Sequence, residues 1–510
     1  MIMRKYISIL LPTIVAIMGI VSCGAPSVPE SPVASKKQPL IYPDYKGVTV
    51  PCNIAPLTFE IREKGATSFV TRFSTLDEKK ELLLSGRSVI PSLEEWRRLT
   101  ADVKKASKLK VEVFYEKTGK WHADRPFYIT LSPDSIDRYL SYRLIPPSYV
   151  AYEKLEIMQR DLTSFDEKVI FSNMLLATEQ QGQCINCHAY KNFKTDNMQF
   201  HARQYLGGTL FVHNGEMRKI DLKTDSTISA GVYPAFNPVY DVVAYSVNHT
   251  GQVFHTAHPD KVEVQDVESD IILYNPLNNK VSHISNGKTD LEVFPWWSAD
   301  GRTLYYCSAH FEITDTTRTY SQNEIARYNE IKYDILSRPW NPETFEFGEP
   351  DTILAAARMG KSATLPRVSP DGKYLLFALG SYGCFHVWHS DADICMMDLS
   401  TRKWEVLRNA NSAEAESYPS WSSNGKWIMF SSRRDDTNYT RVYMAHVEPG
   451  GRTAKAFVLP QNSPDFYPLF EKSFNRPEFT IEPVKFTPYE AADVLAGEAT
   501  KATYSDNCKK

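Results

Sequence analysis

One short stretch of the chain carries the residue types of a covalent cofactor site. Cys184 and Cys187 are separated by two residues, and His188 follows directly. Two thiols at this spacing reach the two vinyl groups of one haem and form thioethers, and the next histidine then lies under the iron as its proximal ligand. The pattern therefore predicts one covalent haem c held by Cys184, Cys187 and His188.

Two other kinds of site use the same cysteine spacing. A redox-active dithiol of the thioredoxin type lies where a strand meets a helix, and the sequence here does not have that pattern. A zinc site would need a second ligand pair at matching spacing, and none follows in the sequence. Haem attachment is favoured over both, and a motif that has lost its cofactor is the main alternative.

Two residues shortly after the motif, Met198 and His201, are the candidates for the second axial ligand of the iron. A methionine sulfur would raise the reduction potential, and a second imidazole would lower it. Met198 is the first choice, although the distal methionine of many small cytochromes c lies much further downstream. Met198 could instead pack in a core, and His201 could bond a backbone carbonyl. A ligand from the repeat region below, or an open site that binds peroxide, are further alternatives.

The residues before the motif have the pattern of an amphipathic helix. Ser164 and Glu167 form a capping box, and apolar residues recur on one broad face after it. We expect a helix from about Phe165 to Thr178, so that the two cysteines lie just beyond its end.

The first residues have the pattern of an export signal. Arg4 and Lys5 precede an apolar run that is too short for a comfortable membrane span. Cys23 stands at the expected cleavage point after small residues and resembles the bacterial lipobox. The resemblance implies cleavage before Cys23 and a lipid on it, whereas a simple cleavable signal or an uncleaved anchor are the alternatives. No Asp follows Cys23, which favours the outer membrane, with the periplasmic face expected.

Export also affects the other thiols, because an oxidising compartment permits disulfides. The chain has eight cysteines. With Cys23, Cys184 and Cys187 assigned, Cys384 and Cys395 are the nearest remaining pair and could form a disulfide.

A repeated motif follows the haem segment. Its copies share an aromatic or apolar residue before proline, and they begin at Tyr233-Pro234, Phe294-Pro295, Leu365-Pro366, Tyr418-Pro419 and, in degenerate form, Tyr467-Pro468. In three copies an Asp-Gly or Asn-Gly pair closes a tight hairpin. Intervals of roughly 50 to 70 residues suit four-stranded propeller blades.

These copies resemble the Pro-x-Trp-Ser-Pro-Asp-Gly-Lys repeats of TolB-type propellers over roughly residues 203–485. The resemblance implies five or six blades around a central channel. It implies no function, because that fold serves protein binding, peptidases and lyases alike.

Two insertions in the repeat region contain polar and aromatic residues. His249, His255 and His258 form a small cluster that could bind a metal, although a solvated loop is the favoured interpretation. The segment 382–389 could line the propeller mouth or cover the haem edge.

The region before the haem segment alternates as strands and predicts a small β-sandwich, Ig- or fibronectin-like. One helix is capped by Ser92, and a second helix is expected to start at Ser132 with Pro133 in its first position.

The expected fold class is mainly β, with a short helical haem segment between two β-rich domains. The expected segments follow in chain order: 1–22 signal peptide, 23–45 flexible tether, 46–145 β-sandwich-like domain, 146–202 helical haem c segment, 203–486 β-propeller and 487–510 C-terminal tail.

The near-neutral net charge of -3 argues against a nucleic-acid partner, which would require a concentrated basic surface. The whole plan resembles a family of exported Bacteroidetes lipoproteins that join a TolB-like propeller to a C-x-x-C-H segment. That resemblance implies electron transfer in the cell envelope, with protein partners docked by the propeller and a membrane anchor through Cys23. A binding scaffold with structural or sensory haem, and a haem peroxidase, are the alternatives.

Overall fold

The computed structural model describes residues 25–146, 154–255, 257–258, 260–287, 289–312 and 314–509. Cys23 and the expected signal segment lie outside the described residues. Across the described ranges, no helix has the length and apolar character needed to cross a bilayer.

The N-terminal part is built from short strands in two sheets. The strands are β1 Val33–Ala34, β2 Ile41–Tyr42, β3 Thr49–Pro51, β4 Phe59–Ile61, β5 Ser68–Thr75, β6 Glu81–Ser85, β7 Ser88–Val89, β8 Ser107–Lys117, β9 Lys120–Ala123 and β10 Phe127–Ser132. Within the described residues one sheet holds β1, β9, β8, β10, β3, β5 and β6, and the other holds β2, β4 and β7.

The two sheets share one apolar core, as the sandwich prediction requires. Phe59 of β4 contacts Phe73 of β5 and Phe127 of β10, each with ring centroids 6.2 Å apart. Helix α1, Leu93–Thr100, packs Trp96 edge-on against Phe73. The expected capping box of Ser92 is present, with Glu95 as its second member.

The rest of the chain forms six further sheets among the described residues. They are called blades 1 to 6 in chain order, and the strands of each blade are given in chain order as well. Blade 1 contains β11 Tyr139–Ile145, β12 Glu156–Asp161 and β13 Glu167–Ser172; blade 2 contains β14 Gln183–Lys191, β15 Lys194–Gln204, β16 Gly208–His213 and β17 Glu216–Asp221; blade 3 contains β18 Val232–Phe236, β19 Val243–Phe254, β20 Val262–Asn275 and β21 Lys280–Ser285. Blade 4 contains β22 Asp290–Trp297, β23 Thr303–His310, β24 Asp334–Asn341, β25 Glu346–Phe347 and β26 Asp351–Leu354; blade 5 contains β27 Ser362–Val368, β28 Tyr374–Gly380, β29 Asp393–Asp398 and β30 Trp404–Val406; blade 6 contains β31 Glu416–Trp421, β32 Trp427–Ser432, β33 Arg441–His446 and β34 Phe457–Val458.

The blades close into a ring through one late strand, β35 Ser473–Thr480. β35 pairs antiparallel with β11 and thereby becomes the innermost strand of blade 1. The innermost strands contact one another in the cyclic order β35, β14, β18, β22, β27, β31 and back to β35. This closed cycle is a six-bladed β-propeller, so the predicted mainly-β fold class is confirmed.

The expected helix from Phe165 to Thr178 is wrong. Residues Glu167–Ser172 form β13, and a single 3₁₀ turn follows at Asn173–Leu175. β13 pairs with β12. The apolar pattern of these residues is compatible with a strand as well as with a helix, so the pattern alone did not decide between them. The segment 146–202 therefore contributes strands to blades 1 and 2, and the blade sheets begin before residue 203.

The last repeat also lies elsewhere than expected. Tyr467 and Pro468 belong to the short helix α3, Phe466–Leu469. The innermost strand of blade 1 instead contains Arg476 and Pro477. This copy lacks the sequence signature of the others, because its residue before proline is a cation rather than an aromatic or aliphatic side chain.

The helix expected at Ser132 is also absent, since the described residues 133–138 form an irregular loop. Propeller groups hold this loop: the indole of Trp427 donates to the Asp134 carbonyl at 3.1 Å, and the Ser423 amide donates to Asp137 at 2.6 Å. These contacts replace the local hydrogen bonds that a helix would make.

Cys384 and Cys395 are both free thiols. They lie in different apolar clusters, Cys384 beside Phe294 and Cys395 beside Phe377. The possible disulfide is therefore not present.

The C-terminal segment packs against the propeller rather than forming a free tail. Helix α4, Pro488–Ala496, buries Leu495 against blade 2, where Lys219 donates to the Leu495 carbonyl at 2.8 Å. β36, Thr500–Lys501, and β37, Thr503–Tyr504, then add parallel strands to the outer edges of blades 2 and 3.

The cap of α4 gives a first test of this packing. Thr487 accepts from the Glu490 amide at 3.2 Å, and Glu490 accepts from the Thr487 amide at 2.7 Å. We expect Thr487→Ala to lower the opening free energy of α4 by about 1 kcal/mol, which means roughly fivefold faster amide hydrogen exchange there. Thr487→Ser should exchange like the wild type. Equal exchange rates in the alanine and serine variants would contradict the cap.

Candidate functional site

The C-x-x-C-H motif lies on β14, the innermost strand of blade 2. Cys187 has a φ of 57° and lies at a β-bulge, where the pairing of β14 with β15 shifts between Asn186 and Ala189. Each other blade has a residue with a similar left-handed conformation at the bulge of its innermost strand: Tyr233, Phe294, Leu365, Tyr418 and Arg476. The motif is thus the blade 2 copy of the repeat.

This correspondence gives His188 a specific place in the fold. In the other five blades the residue after the bulge position is a proline. In blade 2 the residue is His188, which is fully buried. Proline has no polar side-chain atom, so the imidazole of His188 has no counterpart in the neighbouring blades.

The bulge residues converge on the central axis. Tyr233 of blade 3 and Tyr418 of blade 6 belong to blades on different sides of the ring, yet both line one cavity, and Cys187 lines a neighbouring cavity together with Tyr233. Side chains from such distant blades meet only if they point inwards. The Cys187 thiol therefore lies near the channel axis.

Both cysteine side chains line one cavity, called here the thiol cavity. It has a volume of about 550 Å³, and its walls include Cys184, Cys187, His201, Arg203 and Arg143. This volume lies within the range of about 300 to 1,000 Å³ that is usual for small-molecule sites.

Strand register explains which side chains face the thiol cavity. Cys184 lies directly opposite Arg203, and Asn186 lies directly opposite His201. Directly opposed residues in antiparallel strands share a face. The Arg203 guanidinium accordingly lies 3.5 Å from the Cys184 sulfur.

His201 presents a neutral imidazole to this cavity. Its Nδ1 hydrogen-bonds the Thr209 hydroxyl at 3.0 Å. When Nδ1 carries the proton, the lone pair of the ring lies on Nε2, which is the arrangement of a metal-ligating histidine. Burial, aided by nearby Arg203, lowers the pKa of His201 to about 3, so the ring is neutral near pH 7.

His188 lies behind the cavity wall rather than in it, next to blade 1. Both of its ring nitrogens are buried, and neither has a hydrogen bond of good geometry among the described residues, although backbone groups of Arg476 and Ser141 lie near the ring. Burial lowers the pKa of His188 well below its usual value, with Arg476 and Arg143 adding to the shift and the backbone of Arg476 and Ser141 opposing it. The ring is therefore neutral and lies against backbone groups of blade 1.

Met198 lies on the opposite face of β15 from His201. Residues three apart on a strand point to opposite faces. Met198 is fully buried in an apolar cluster with Phe171, Phe200 and Leu495. The structure thus brings Cys184, Cys187 and His201 to one cavity, and it places His188 and Met198 outside that cavity's walls.

A long hairpin of blade 3 and the insertion 382–389 together flank the cavity mouth. Thr250 and Gln252 of β19 line the thiol cavity, and so does Phe385 of the insertion. The sequence hypothesis that segment 382–389 lines the mouth agrees with this placement.

Buried polar contacts hold the hairpin to the insertion. Glu263 of β20 meets the His389 ring at 2.8 Å, and both side chains are buried. Asp266 accepts from Asn248 at 2.7 Å and from Tyr333 at 2.9 Å, and burial raises its pKa. The mouth of the cavity is therefore walled by fixed elements.

The histidine cluster of the hairpin lies at its tip and edge. His255 and His258 have ring centroids 5.7 Å apart, and His249 lies 3.3 Å from Glu268. In the part of the chain that the structure describes, no group of three or more His, Cys, Asp or Glu could hold a metal ion. His249 and His258 are exposed and His255 is half-buried, which agrees with the solvated-loop interpretation.

The arginines around the cavity escaped the sequence analysis. Arg143, Arg203 and Arg433 come from blades 1, 2 and 6, and no local motif links them. Only the ring closure, which joins distant parts of the chain, places them near one another.

No protein-family model and no curated protein sequence matches the chain. Among solved structures, the tricorn protease has a TM-score of 0.33 and 11% identity, covering 79% of this chain and 39% of its own. Oligogalacturonate lyase from Vibrio parahaemolyticus has a TM-score of 0.31 and 14% identity, and the match covers 76% of this chain and 100% of the lyase. A prolyl endopeptidase has a TM-score of 0.33 and 11% identity, and the match covers 77% of this chain and 42% of the endopeptidase. The chain thus spans less than half of the protease and the endopeptidase, and these likenesses are too weak to bear on its activity.

Proposed function

We propose that the protein is a c-type cytochrome of the cell envelope that carries one haem in the thiol cavity and transfers electrons. One observation carries the proposal: both thiols of the C-x-x-C-H motif line a single cavity of about 550 Å³. The two thiols would attach the haem through thioether bonds. The haem would supply one-electron redox chemistry.

Part of the donor set for this cofactor lies at the cavity. His188, which follows the second cysteine, is neutral and lies behind the cavity wall, so its ring would have to turn into the cavity to bind the iron. His201 is neutral and stands in the cavity wall. We assign the proximal role to His188 from the motif and the second axial role to His201 from its placement. Two imidazoles favour a low reduction potential.

Two guanidiniums suit the acidic groups of the cofactor. Arg143 and Arg203 both line the thiol cavity, and Arg203 lies 3.5 Å from the Cys184 sulfur. Guanidinium and carboxylate groups form strong charge-assisted hydrogen bonds. These two arginines would bind the haem propionates and fix the orientation of the cofactor.

The cellular setting of the proposal comes from the sequence. A lipid on Cys23 would anchor the protein at a membrane, with the outer membrane favoured, and the propeller would dock redox partners. This plan resembles the exported Bacteroidetes lipoproteins that combine a TolB-like propeller with a C-x-x-C-H segment.

The test is an alkaline-pyridine absorption spectrum of protein matured in a host with the c-type haem assembly machinery. We expect a reduced c-type band from the wild type and none from Cys184→Ala/Cys187→Ala. Cys52→Ala, which removes a partly exposed thiol in the N-terminal part, is the matched control and should keep the band.

A wild-type protein without the band would overturn the electron-transfer proposal. The propeller as a binding scaffold would then be the leading hypothesis. A haem whose iron binds peroxide without any axial substitution would instead favour the peroxidase alternative.

A further inference from the structure

A second compartment adjoins the thiol cavity at the channel mouth, called here the arginine–tryptophan compartment. It measures about 130 Å³, and its walls include Arg143, Phe385, Trp388, Tyr418 and Arg433. Arg143 and Phe385 also line the thiol cavity. The two spaces are thus neighbours with a common wall.

Arg433 brings a buried positive charge to this compartment. Its guanidinium lies 3.2 Å from the ring centroid of Trp388. Its hydrogen bonds use Nε, to the Val387 carbonyl at 2.6 Å, and Nη1, to the carbonyls of Asn438 and Thr437. These neutral carbonyls orient the guanidinium, and the carboxylates of Asp436, Asp260 and Glu414 act on it from outside the compartment lining.

Arg143 brings a second positive charge to the opposite wall. Its Nη1 donates to the Ile185 carbonyl at 2.9 Å, and its Nε is buried without a partner among the described residues. No acidic side chain in the described ranges lines the compartment. The described walls of the compartment thus present two guanidiniums and no carboxylate, which suits an anionic ligand.

The other residues that line the compartment indicate the shape and the apolar character of its ligand. Phe254, Phe385, Trp388 and Tyr418 supply flat aromatic faces, and Val264 and Val387 supply apolar contacts. Apolar walls with a few fixed polar groups are typical of small-molecule sites. A volume below the usual range of about 300 to 1,000 Å³ restricts the ligand to about one ring.

We propose that the arginine–tryptophan compartment binds a small organic anion, a single planar ring that carries one carboxylate. The carboxylate lies between the Arg143 and Arg433 guanidiniums, and the ring packs among Phe385, Trp388 and Tyr418. Arg143 is common to this site and to the propionate contacts proposed above, whereas Arg433, Trp388 and Tyr418 line this compartment and not the thiol cavity. None of the contacts of the carboxylate or of the ring requires Cys184 or Cys187.

The test is calorimetric titration of the full-length protein with benzoate, with benzamide and with inorganic phosphate. Benzamide keeps the ring without the charge, and phosphate keeps the charge without the ring. We expect benzoate to bind at least tenfold more tightly than either. No benzoate binding, or benzamide binding as tight as benzoate binding, would overturn the proposal.

Variants locate the bound benzoate. Arg433→Gln and Trp388→Leu should each weaken benzoate binding at least tenfold, with thermal unfolding as the check on folding. If Arg433→Gln fails to fold, Arg143→Gln removes the other positive charge of the compartment instead. Arg143 is partly exposed, so its substitution should disturb folding less. Unchanged benzoate binding in Arg143→Gln and Trp388→Leu would refute this location. Titration of Cys184→Ala/Cys187→Ala separates the two proposals, because benzoate binding should persist in that haem-free protein.

Discussion

His201→Ala is expected to give a haem protein whose reduced iron binds about one carbon monoxide per haem. Met198→Leu is expected to bind none, like the wild type. The first substitution removes the imidazole that faces the thiol cavity. The second replaces a core side chain by one of similar volume and should cost less than about 1.5 kcal/mol of stability.

The geometry of β15 makes this contrast sharp. His201 shares the cavity face with Cys184 and Arg203, whereas Met198 packs on the other face against Phe171 and Phe200. A methionine in that cluster would have to leave the apolar core to reach a group in the cavity. Its sulfur is therefore better explained as packing than as an iron ligand.

The measurement is the absorption spectrum of the reduced protein before and after carbon monoxide. Thr209→Val serves as a graded control, because it removes the hydroxyl that holds His201 Nδ1 at 3.0 Å and keeps the imidazole. We expect its carbon monoxide binding to lie between those of wild type and His201→Ala. Carbon monoxide binding by Met198→Leu but not by His201→Ala would reverse the assignment of the axial ligand.

Local signals in the sequence predicted much of the architecture. The turns after Phe294-Pro295, Leu365-Pro366 and Tyr418-Pro419 close hairpins between innermost strands and their neighbours. The capping box at Ser92 begins a helix as expected. Turn chemistry and caps depend on a few adjacent residues, so a single sequence reveals them.

The failures occur where distant contacts decide the local structure. Residues 167–172 have an apolar face that suits either a helix or a strand, and pairing with β12 selects the strand. Ser132 and Pro133 have the chemistry of a helix start, but contacts with Trp427 and Ser423 hold that loop. The partners in the second case are nearly three hundred residues away.

The candidate site shows the same division. Cys184, Cys187 and His188 are recognisable as a motif because they are consecutive in the chain. That His188 replaces a blade proline is visible only when the innermost strands are compared at their bulges. Arg143 and Arg433 come together only through ring closure, which the copy at Arg476-Pro477 provides. The sequence therefore offered both Met198 and His201 as second axial ligands, and only the fold shows that His201 lines one cavity with the two thiols.

Ring closure itself leads to the second large expected effect: Phe474→Ala should lower the free energy of unfolding of the propeller by about 3 to 5 kcal/mol. Phe474 lies on β35, is 1% exposed, and has its ring centroid 4.8 Å from that of Tyr142 in β11. Its backbone also links to blade 6, where the Thr440 hydroxyl donates to the Phe474 carbonyl at 2.5 Å. The substitution leaves a cavity where the last strand joins the first blade to the sixth.

Leu469→Ala is the matched control for this prediction, since that side chain is 79% exposed on the neighbouring helix α3. A surface truncation of this kind should change stability by no more than about 0.5 kcal/mol. Urea unfolding followed by circular dichroism measures both variants. If closure through β35 holds the ring, Phe474→Ala unfolds at distinctly lower urea than Leu469→Ala. Coincident midpoints would mean that the six blades stay together without the core contacts of the closing strand, and the closure would then depend on its backbone pairing with β11 alone.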